Sequence, residues 1–390
     1  MRIGIDARFY GSVGKGLGRY TQKLIEGLEA FDTDNEYFIF LGRENFGEYV
    51  PKYPRFKKVL ARYPWYGFSE QFLFPFLLLR YRLDLVHFPH FNVPFWYPKK
   101  FIVTIHDLIL LHYPTLRNTT RPALLYIIKF RAYRLIIASA IRRARHIITV
   151  SQFTEQDIAE RYPFAQEKMS VTYEATDLFC SFVLPREERA LLGRFLLLRS
   201  DTQAMPEKKT RDILRPYVLY VGNAYPHKNL EALLRTAAVF PDMIFVLVGK
   251  EDYFYLRLKQ SAKQRGLENV LFTGFVDDHQ LNTLYRFAVC YLFPSLYEGF
   301  GLPPLEAMAR GLPVLSSDRG SLPEILGSAA HFFDPQVEGS LEKALAAIFG
   351  SEALRNELSE RGYAQAARYS WETMAKATLA LYKESIQNKK

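Results

Sequence analysis

Short apolar segments alternate with helical patterns over most of the chain, and this alternation limits the possible folds more than any other feature. The first series begins with a predicted strand over residues 2–6 and ends with one over 169–173. A second series begins with a strand over 217–222 and ends with one over 330–333. Strands that alternate with helices are typical of parallel sheets covered by helices. The sequence therefore predicts two doubly wound α/β domains.

A segment of mixed charge separates the two series. It spans residues 181–212, and we interpret it as a linker between an N-terminal domain over 1–180 and a C-terminal domain over 213–368. The last residues, 369–390, predict a helix whose apolar face must pack on another surface, with the first domain as one option. A chain of 390 residues can form two domains that each bury a core. A cleft between two such domains would suit a substrate.

The composition excludes several classes of protein. Cys180 and Cys290 form no C-x-x-C motif, so neither a disulfide framework nor a cysteine zinc site is predicted. The most apolar stretch, residues 72–79, contains Pro75 and is far shorter than the roughly 20 residues of a membrane-spanning helix. Met1 leads directly into a strand, without the long apolar segment of a secretion signal. We therefore expect a cytoplasmic protein.

The net charge of +10 is concentrated in the N-terminal half. Residues 1–175 carry 25 Lys or Arg against 16 Asp or Glu, which gives +9 of the total. Basic and aromatic residues are interleaved in segments 52–58, 62–66 and 129–134, a pattern that suits peripheral binding to an anionic membrane. A solvated positive face with its aromatics in the core is the alternative. Binding of nucleic acid is not expected, because no RNP, KH or helix-turn-helix signature is present.

Two glutamates eight residues apart, Glu298 and Glu306, flank a turn rich in glycine and proline. The turn follows a predicted strand over 289–293 and leads into a predicted short helix over 303–310. Backbone amides at such a turn favour a phosphate, whereas carboxylates suit neutral hydroxyls. We therefore assign Glu298 to a sugar and Glu306 to a ribose. A nucleotide sugar is the predicted ligand, and a solvent-facing pair beside a loop is the alternative.

A second turn, Gly222 to Asn229, follows the strand that opens the C-terminal domain. It would place Lys228 at the mouth of this domain, where its charge can neutralise a departing nucleotide diphosphate. At an effective dielectric constant of about 20, a contact ion pair is worth roughly 4 kcal/mol. A lysine in this turn would therefore help the leaving group to depart.

These motifs resemble those of the retaining GT-B glycosyltransferases of family 4, a group that includes bacterial mannosyltransferases. The likeness extends over nearly the whole chain and is most specific in the C-terminal motifs. It is carried by the E-x7-E element and by further segments, which are IGIDAR at 3–8, GLGRY at 16–20, TIHDL at 104–108, TVS at 149–151, VG at 221–222, KNL at 228–230 and LPE at 322–324. The resemblance implies a GT-B fold, in which two Rossmann-like domains face each other across a cleft.

The resemblance also implies three catalytic residues. His106, which follows the predicted strand over 101–105, would lie beside the transferring sugar and stabilise its oxocarbenium character. Lys228 would balance the charge of the leaving diphosphate, and Glu298 would bind the sugar. A hydrogen-bonded histidine at the end of a strand is the alternative for His106.

The second cation of the phosphate site departs from the family's pattern. An arginine usually stands beside the glycine or the lysine of this turn, but here these positions hold Asn223 and His227. We therefore expect either a protonated His227 or Arg19, from the other domain, to supply the missing positive charge. A surface position in a loop is the alternative for His227.

The remaining predicted site residues form two groups. Those on the acceptor side are Arg19, Tyr20 and Asp107, although Asp107 could instead cap a following turn. The resemblance also implies that Val276 and its neighbours would contact the base. The residues predicted to bind the donor are Gly16, Gly18, Gly222, Asn223, His227, Val276, Gly299, Phe300, Gly301, Leu302 and Glu306.

No metal and no cofactor are predicted. Asp32-Thr33-Asp34 forms the D-x-D pattern of metal-dependent transferases, but it follows a helix, so we interpret it as a solvated turn. The histidines lack the spacing of zinc ligands. The glycine-rich loop over residues 11–18 lacks the register G-x-G-x-x-G, which argues against a nicotinamide-dependent dehydrogenase.

The predicted reaction is the metal-independent transfer of a hexose from a nucleotide-diphosphate sugar to a glycan or lipid-linked acceptor, with retention of configuration by front-face substitution. The resemblance slightly favours GDP-mannose over a UDP-sugar as the donor, and surface polysaccharide or glycolipid synthesis as the setting. An epimerase or a phosphorylase on the same fold is the alternative reaction. A basic nucleic-acid-binding protein is the alternative from another class.

Overall fold

The computed structural model describes residues 1–114, 123–177, 191–193 and 215–387. The chain divides into two compact units. The first consists of Met1–Ala175 together with Tyr369–Lys390, and the second of Thr176–Arg368. Of the predicted linker over 181–212, all but residues 191–193 lies outside the described residues.

The first unit contains a seven-stranded sheet. Its strands are β1 (Arg2–Asp6), β2 (Glu36–Leu41), β3 (Phe56–Leu60), β4 (Leu85–Phe88), β5 (Phe101–Ile105), β6 (His146–Thr149) and β7 (Met169–Val171). They lie in the order β3-β2-β1-β4-β5-β6-β7, and every pair is parallel. Helices cover both faces of such a sheet, which explains why its central strands β1, β4 and β5 are buried almost throughout.

Strand β3 lies in a segment that the sequence analysis interpreted only as a basic and aromatic cluster. Phe56 and Val59 are buried, whereas Lys57 and Lys58 between them are exposed. Because β3 is at the edge of the sheet, its lysines remain in water while its apolar residues reach the core. In this strand, the aromatic residue is therefore part of the core and the positive face is solvated.

The helices of the first unit follow the strands. They are α1 (Lys15–Phe31), α2 (Phe68–Phe72), α3 (Phe74–Arg80), α4 (Ile109–His112), α5 (Ala123–Arg143) and α6 (Gln152–Arg161). Short 3₁₀ helices span Gly11–Gly14 and Pro163–Lys168. The hydroxyl of Ser151 accepts a hydrogen bond from the Thr154 amide at 3.1 Å, which confirms Ser151 as the predicted N-cap of α6.

Two hydrophobic clusters cover the two faces of this sheet. Ile39 and Phe40 are consecutive residues of β2, but Ile39 belongs to one cluster and Phe40 to the other. This division follows from the alternation of side chains along a strand. The sheet is therefore buried on both sides.

The second unit contains a six-stranded sheet. Its strands are β8 (Tyr217–Val221), β9 (Ile244–Val248), β10 (Val270–Gly274), β11 (Cys290–Phe293), β12 (Val314–Ser317) and β13 (Ala330–Phe333). They are all parallel and lie in the order β10-β9-β8-β11-β12-β13. Counted from its own first strand, this order is 3-2-1-4-5-6, the order of a Rossmann fold. The six common strands of the first unit have the same order, so the prediction of two Rossmann-like domains is confirmed.

The helices of the second unit begin at the carboxyl side of its strands. They are α7 (Leu230–Val239), α8 (Tyr253–Gln264), α9 (Asp278–Phe287), α10 (Leu302–Met308), α11 (Leu322–Leu326), α12 (Ser340–Gly350) and α13 (Glu352–Ala366). Short 3₁₀ helices span Pro226–Lys228 and Gly327–Ala329. The capping box of Asp277 and Gln280 fixes the start of α9.

The last helix, α14 (Trp371–Gln387), packs on the first unit, as the sequence suggested. A side-chain carbon added to Gly27 of α1 would lie only 2.3 Å from the Cβ atom of Ala375 in α14. The hydroxyl of Tyr382 lies 2.6 Å from Nδ1 of His87 in β4. The chain thus returns to its first unit after completing the second. Within the described parts of the chain, no helix combines the length and the apolar character needed to span a membrane.

Candidate active site

Both predicted turns of the second unit lie where the strand order of its sheet reverses. Strands β8 and β11 are paired neighbours, although two other strands separate them along the chain. The turn with Lys228 follows β8, and the turn with Glu298 follows β11. Ligands of doubly wound sheets bind beside the carboxyl ends of strands at such a reversal. The topology therefore places the two turns at the expected ligand-binding edge.

Lys228 and Glu298 form an ion pair. Nζ of Lys228 donates a hydrogen bond to Oε1 of Glu298 at 2.5 Å, and the two side chains are only 11% and 10% exposed. Nζ also lies 5.2 Å from the centre of the Phe293 ring. Low exposure weakens solvent screening, so this pair is electrostatically stronger than a surface pair. The sequence analysis gave the two residues separate roles, and the structure brings them into one contact.

Hydrogen bonds to one carbonyl group hold the two turns together. The carbonyl oxygen of His227 accepts from the Leu296 amide at 2.7 Å and from the Ser295 hydroxyl at 3.2 Å. Residues 295 and 296 belong to the segment that leads from β11 to Glu298. The position of Lys228 relative to Glu298 is thus fixed by backbone as well as by side-chain contacts.

A third segment, which follows β12, forms hydrogen bonds with the turn that contains Glu298. The Ser321 amide donates to the Glu298 carbonyl at 3.2 Å, and the Ser321 hydroxyl donates to the Phe300 carbonyl at 3.0 Å. A Cβ atom at Gly320 would lie 2.8 Å from the Glu298 amide nitrogen. Sequence reasoning did not assign Gly320 or Ser321 to the site. The signal that was available is their position directly before the Leu322-Pro323-Glu324 segment of the resemblance.

The end of the glycine-rich turn explains two of the predicted donor-binding positions. Gly301 adopts a left-handed conformation with φ of 99° and immediately precedes α10, whose first residue is Leu302. A Cβ atom at Gly301 would lie 2.8 Å from a methyl group of Leu322, so this position requires glycine. The helix spans 302–308, close to the predicted 303–310. Gly299 and the buried Phe300 lie in the loop before it.

His227 does not supply the missing positive charge, and the prediction of a protonated His227 is wrong. Burial, together with the neighbouring charge of Lys228, lowers the pKa of His227 to about 4, although Glu298 opposes the shift. The imidazole is therefore neutral near pH 7. The alternative of a surface position is also wrong, because His227 is only 6% exposed.

The start of the same turn is held by internal hydrogen bonds. The Asn223 side-chain oxygen accepts from the Tyr225 amide at 3.3 Å, and the Asn223 carbonyl accepts from the Tyr220 hydroxyl at 2.7 Å. A Cβ atom at Gly222 would lie 2.7 Å from that hydroxyl. Gly222 thus permits a close approach of Tyr220, and Asn223 stabilises the turn.

The predicted contacts to the nucleoside are only partly accessible. Val276 is only 7% exposed, whereas the adjacent Phe275 is 82% exposed. Gly274, which precedes them, has φ of 72° and no heavy atom within 4 Å of an added Cβ. Glu306 lies in α10 with a partly exposed side chain.

In the first unit, both ring nitrogens of His106 have partners. Nδ1 lies 2.8 Å from Oε1 of Glu174, and Nε2 lies 2.9 Å from the Pro89 carbonyl oxygen. Burial alone would lower the pKa of His106, but the hydrogen bond and the charge of Glu174 outweigh it and raise that pKa. Glu174 was not foreseen, because it follows the last strand of the unit and is far from His106 in sequence. Its carboxylate therefore favours the protonated form of His106.

Tyr20 does not face the acceptor, and this part of the prediction is wrong. Its side chain is completely buried, and its ring packs edge-on against the ring of His106 at 4.8 Å. The Tyr20 hydroxyl lies 3.1 Å from the Thr104 hydroxyl, which in turn lies 2.8 Å from Nε2 of His87. Tyr20 therefore supports His106 from the core.

Asp107 caps the following turn, the alternative that its sequence position allowed. Its Oδ1 atom accepts a hydrogen bond from the Ile109 amide at 2.9 Å. In the first turn of α1, a Cβ atom at Gly18 would lie 2.1 Å from the Gly11 carbonyl, whereas nothing lies within 4 Å of one at Gly16. Gly18 is thus required for packing, and Gly16 and the partly exposed Arg19 remain the accessible positions at this helix start.

The Asp32-Thr33-Asp34 segment is the expected solvated turn only in part, because Thr33 and Asp34 are exposed but Asp32 is buried. Asp32 is 2% exposed, and its carboxylate accepts hydrogen bonds from the Asn35 side chain at 2.6 Å and from the Tyr37 hydroxyl at 2.5 Å. These donors lower the pKa of Asp32 even though burial opposes them. The carboxylate is therefore committed to fixing the end of α1 and the start of β2. No group of three potential metal ligands occurs among the residues with a described position.

Comparison with known families places both units in one group of enzymes. The family model described as "Glycosyltransferase Family 4" matches residues 14–178, and the model described as "Glycosyl transferases group 1" matches residues 201–365. The two matches together cover most of both units.

Whole-chain relatives agree with these matches. The O-antigen chain mannosyltransferase B of Escherichia coli is 27% identical over 392 residues, covering 94% of this chain and 96% of that protein. The O-antigen chain mannosyltransferase RfbU of Salmonella typhimurium is 27% identical and covers 93% and 94%. The structure of a sucrose-phosphate synthase from Thermosynechococcus elongatus superposes with a TM-score of 0.74 at 21% identity over 98% of both chains. The chain therefore belongs to the family 4 glycosyltransferases and has the GT-B fold.

Proposed function

We propose that this glycosyltransferase transfers mannose, with retention of configuration, from a nucleotide-diphosphate donor to a glycan or lipid-linked acceptor in the synthesis of a surface polysaccharide or glycolipid. GDP-mannose is the proposed donor. The reaction needs no metal ion, because a lysine stands where the diphosphate charge must be balanced. The enzyme acts in the cytoplasm.

One observation carries the proposal. The contact between Lys228 and Glu298 places a cation and a hydroxyl-binding carboxylate side by side at the reversal point of the second sheet. A diphosphate next to a sugar needs this combination, since the phosphates attract the ammonium group and the sugar hydroxyls donate to the carboxylate. A bare phosphate ligand would be repelled by Glu298.

The choice of mannose is supported by the relatives. Two of them that match nearly the whole chain are O-antigen mannosyltransferases by their names. A structurally similar protein, HepE from Anabaena, was crystallised in complex with UDP-glucose, and its TM-score is 0.71 at 15% identity. The fold is thus compatible with different donors, which is why the donor has to be tested.

The proposed chemistry is a substitution at the anomeric carbon on one face of the sugar. The acceptor oxygen forms the new bond on the side from which the diphosphate leaves, and the acceptor proton passes to a phosphate oxygen of the departing nucleotide. Lys228 balances the negative charge that develops on this phosphate. The side chain of His106, held by its hydrogen bond with Glu174, is assigned to positioning the transferring sugar.

A thermal-shift panel tests the donor. GDP-mannose, UDP-glucose and ADP-glucose are each added to the parent protein and to Lys228→Ala, Glu298→Ala and Lys263→Ala, the last being an exposed lysine of the same unit. We expect the largest stabilisation of the parent by GDP-mannose, since a ligand that binds the native state raises the melting temperature. Affinity should fall by about 10- to 100-fold in the first two variants, given about 1.5–3 kcal/mol per charged hydrogen bond, and stay unchanged in the third.

Product analysis tests the reaction itself. Transfer to an acceptor should continue in excess EDTA, and the product should have the α-anomeric configuration of the donor. Activity that depends on an added divalent ion, or a product of inverted configuration, would contradict the proposal. Conversion of the donor without acceptor would instead favour an epimerase.

Exposed aromatic residues of the first unit support peripheral binding to an anionic membrane. Phe68, Phe76 and Trp96 are 86%, 67% and 62% exposed, which is unusual for large apolar side chains on a soluble surface. The Phe95 amide donates to Oε1 of Gln71 in α2 at 2.8 Å, so the loop with Trp96 adjoins this helix. Basic residues of the same unit would attract acidic headgroups.

Vesicle co-sedimentation tests membrane binding. The parent protein should sediment with vesicles of phosphatidylcholine and phosphatidylglycerol more than with phosphatidylcholine alone. The triple variant Phe68→Ser/Phe76→Ser/Trp96→Ser should stay in the supernatant. A matched variant of exposed residues in the second unit, Leu256→Ser/Phe349→Ser, should sediment like the parent. Equal vesicle binding by the two variants would contradict a membrane-binding surface at Phe68, Phe76 and Trp96.

A further inference from the structure

A cavity of about 430 Å³ lies in the first unit at the carboxyl ends of three neighbouring strands. Arg8 follows β1, residues 42–45 follow β2, and residues 61–65 follow β3, and all of them line the cavity. This edge of a parallel sheet is where α/β proteins bind their ligands. None of the predicted site residues lines this cavity.

Two arginines at the cavity have no ion-pair partner among the described residues. Arg43 and Arg62 are exposed, and among the described residues neither guanidinium has a hydrogen bond or an ion pair. Arg8 differs, because it is buried and bonded to Asp6 at 2.7 Å and to Glu70 at 2.6 Å. The cations available to a ligand are therefore Arg43 and Arg62.

The other walls of the cavity suit a sugar. Trp65 is partly exposed, and one of its faces stacks on Phe9 at 3.9 Å between ring centres, which fixes the indole. The exposed carboxylate of Glu44 can accept hydrogen bonds from hydroxyl groups. Asn45 holds the floor in place, because its Nδ2 atom donates to the carbonyls of residues 7, 8 and 10 at 3.0–3.1 Å.

We propose that this cavity binds the anionic part of the acceptor, a phosphate or diphosphate group carried on a saccharide. The inference rests on the proposed function, in which the donor nucleotide is assigned to the second unit. The planar fork of an arginine matches two phosphate oxygens, so Arg43 and Arg62 together bind a dianion. Glu44 and Trp65 contact the attached sugar, and Glu44 disfavours a bare anion.

The position of the cavity favours a saccharide diphosphate held on a lipid. Phe68, the most exposed aromatic residue of this surface, comes only three residues after Trp65. The Tyr66 amide, between them, donates to Glu70 of α2 at 2.8 Å, which ties the cavity wall to the apolar helix. A lipid tail would thus leave the cavity toward an apolar surface. A soluble sugar phosphate shares the same anionic chemistry, and the test distinguishes the two sources.

Tryptophan fluorescence provides a direct readout of binding. The chain has three tryptophans, so the double variant Trp96→Phe/Trp371→Phe retains Trp65 as the only one. This protein is titrated, at a constant saturating concentration of GDP, with mannose 6-phosphate, methyl α-mannoside, inorganic phosphate and a farnesyl-diphosphate-linked N-acetylglucosamine. We expect the two saccharides that carry phosphate to change Trp65 emission at concentrations at least tenfold lower than the neutral sugar or inorganic phosphate.

Arginine variants in this background identify the site. Arg43→Gln and Arg62→Gln should each weaken saccharide-phosphate binding about tenfold or more, because each removes a charged hydrogen bond. Arg80→Gln, an equal change of charge on an exposed arginine outside the cavity, should have no effect. Tighter binding of the lipid-linked ligand than of mannose 6-phosphate identifies a membrane-held acceptor, and equal binding identifies a soluble one.

Three results would overturn the proposal. They are equal responses to the neutral and the phosphorylated sugar, undiminished binding in Arg43→Gln/Arg62→Gln, and a response to inorganic phosphate as strong as that to the saccharide phosphates. The Arg43→Gln/Arg62→Gln variant should keep the full thermal shift with GDP-mannose. A lost donor response in the parent would instead reject the proposed function, so the two failures remain distinguishable.

Discussion

At the scale of single residues, the contact with Glu174 raises the pKa of His106. Glu174→Gln removes the carboxylate that raises the pKa of His106, and burial, which lowers it, then dominates. We expect the pKa of His106 to fall below its ordinary value of about 6.5 in this variant. Histidine signals in an NMR titration measure the change. Glu167→Gln, at an exposed glutamate of the same unit, is the control.

The same residue predicts how stability depends on pH. Because the pKa of His106 is raised in the folded protein, its charged form stabilises the fold below the unfolded pKa of about 6.5, and this contribution disappears as pH rises through the folded pKa. The difference in unfolding free energy between the parent and Glu174→Gln should thus be larger at pH 6 than at pH 9. Urea unfolding at both values measures it, and a difference independent of pH would show that His106 does not titrate as inferred.

Lys228 and Glu298 should be coupled energetically as well as geometrically. Lys228→Met leaves a nearly buried carboxylate without its cation, and we expect a loss of about 3 kcal/mol in the unfolding free energy of the second unit. Lys228→Met/Glu298→Gln should lose at least about 1 kcal/mol less than the sum of the single variants. Additive losses in a urea-unfolding cycle would mean that the ion pair contributes nothing to stability.

At the scale of elements, the segment after β12 should control the position of Glu298. Gly320 and Gly339 both have left-handed backbones, with φ of 63° and 75°, but only Gly320 has backbone atoms of Glu298 within 3 Å of an added Cβ. Gly339→Ala should therefore cost only the backbone strain of about 1–2 kcal/mol. Gly320→Ala should cost more and should also weaken the thermal shift with GDP-mannose. Equal effects of the two variants on donor binding would reject this role for Gly320.

The sequence predicted those elements whose signals are local. The glycines and prolines around Gly301 mark a turn and a helix start, and Ser151 marks an N-cap, because both depend on residues a few positions apart. Edge strand β3 was missed since two consecutive lysines separate the buried Phe56 and Val59, so its apolar residues do not alternate with polar ones.

The errors at the candidate site share one physical cause. The charge of His227, the burial of Tyr20 and the pairing of His106 with Glu174 all depend on packing between segments that are distant along the chain. A motif indicates that a residue lies at the site, but the burial and the partners that decide its chemistry arise only from packing. The topology of the second sheet, in contrast, could be foreseen from the order of strands and helices.

At the scale of the whole molecule, the return of the chain to its first unit makes the stability of that unit depend on its last helix. Gly27 and Gly16 both lie in α1, but an added Cβ would meet Ala375 of α14 at 2.3 Å from Gly27 and nothing within 4 Å from Gly16. Gly27→Ala should therefore displace α14 and destabilise the first unit by about 1–3 kcal/mol, the usual cost of overpacking.

Gly16→Ala is the matched control in the same helix, and it should stabilise the first unit by up to about 1 kcal/mol because alanine favours a helix more than glycine does. Calorimetry with GDP-mannose present separates the two units, since the donor raises only the transition of the second. We expect Gly27→Ala to lower the transition that does not respond to the donor. If both transitions fell together, the two units would unfold cooperatively, and α14 would stabilise the entire enzyme rather than the first unit alone.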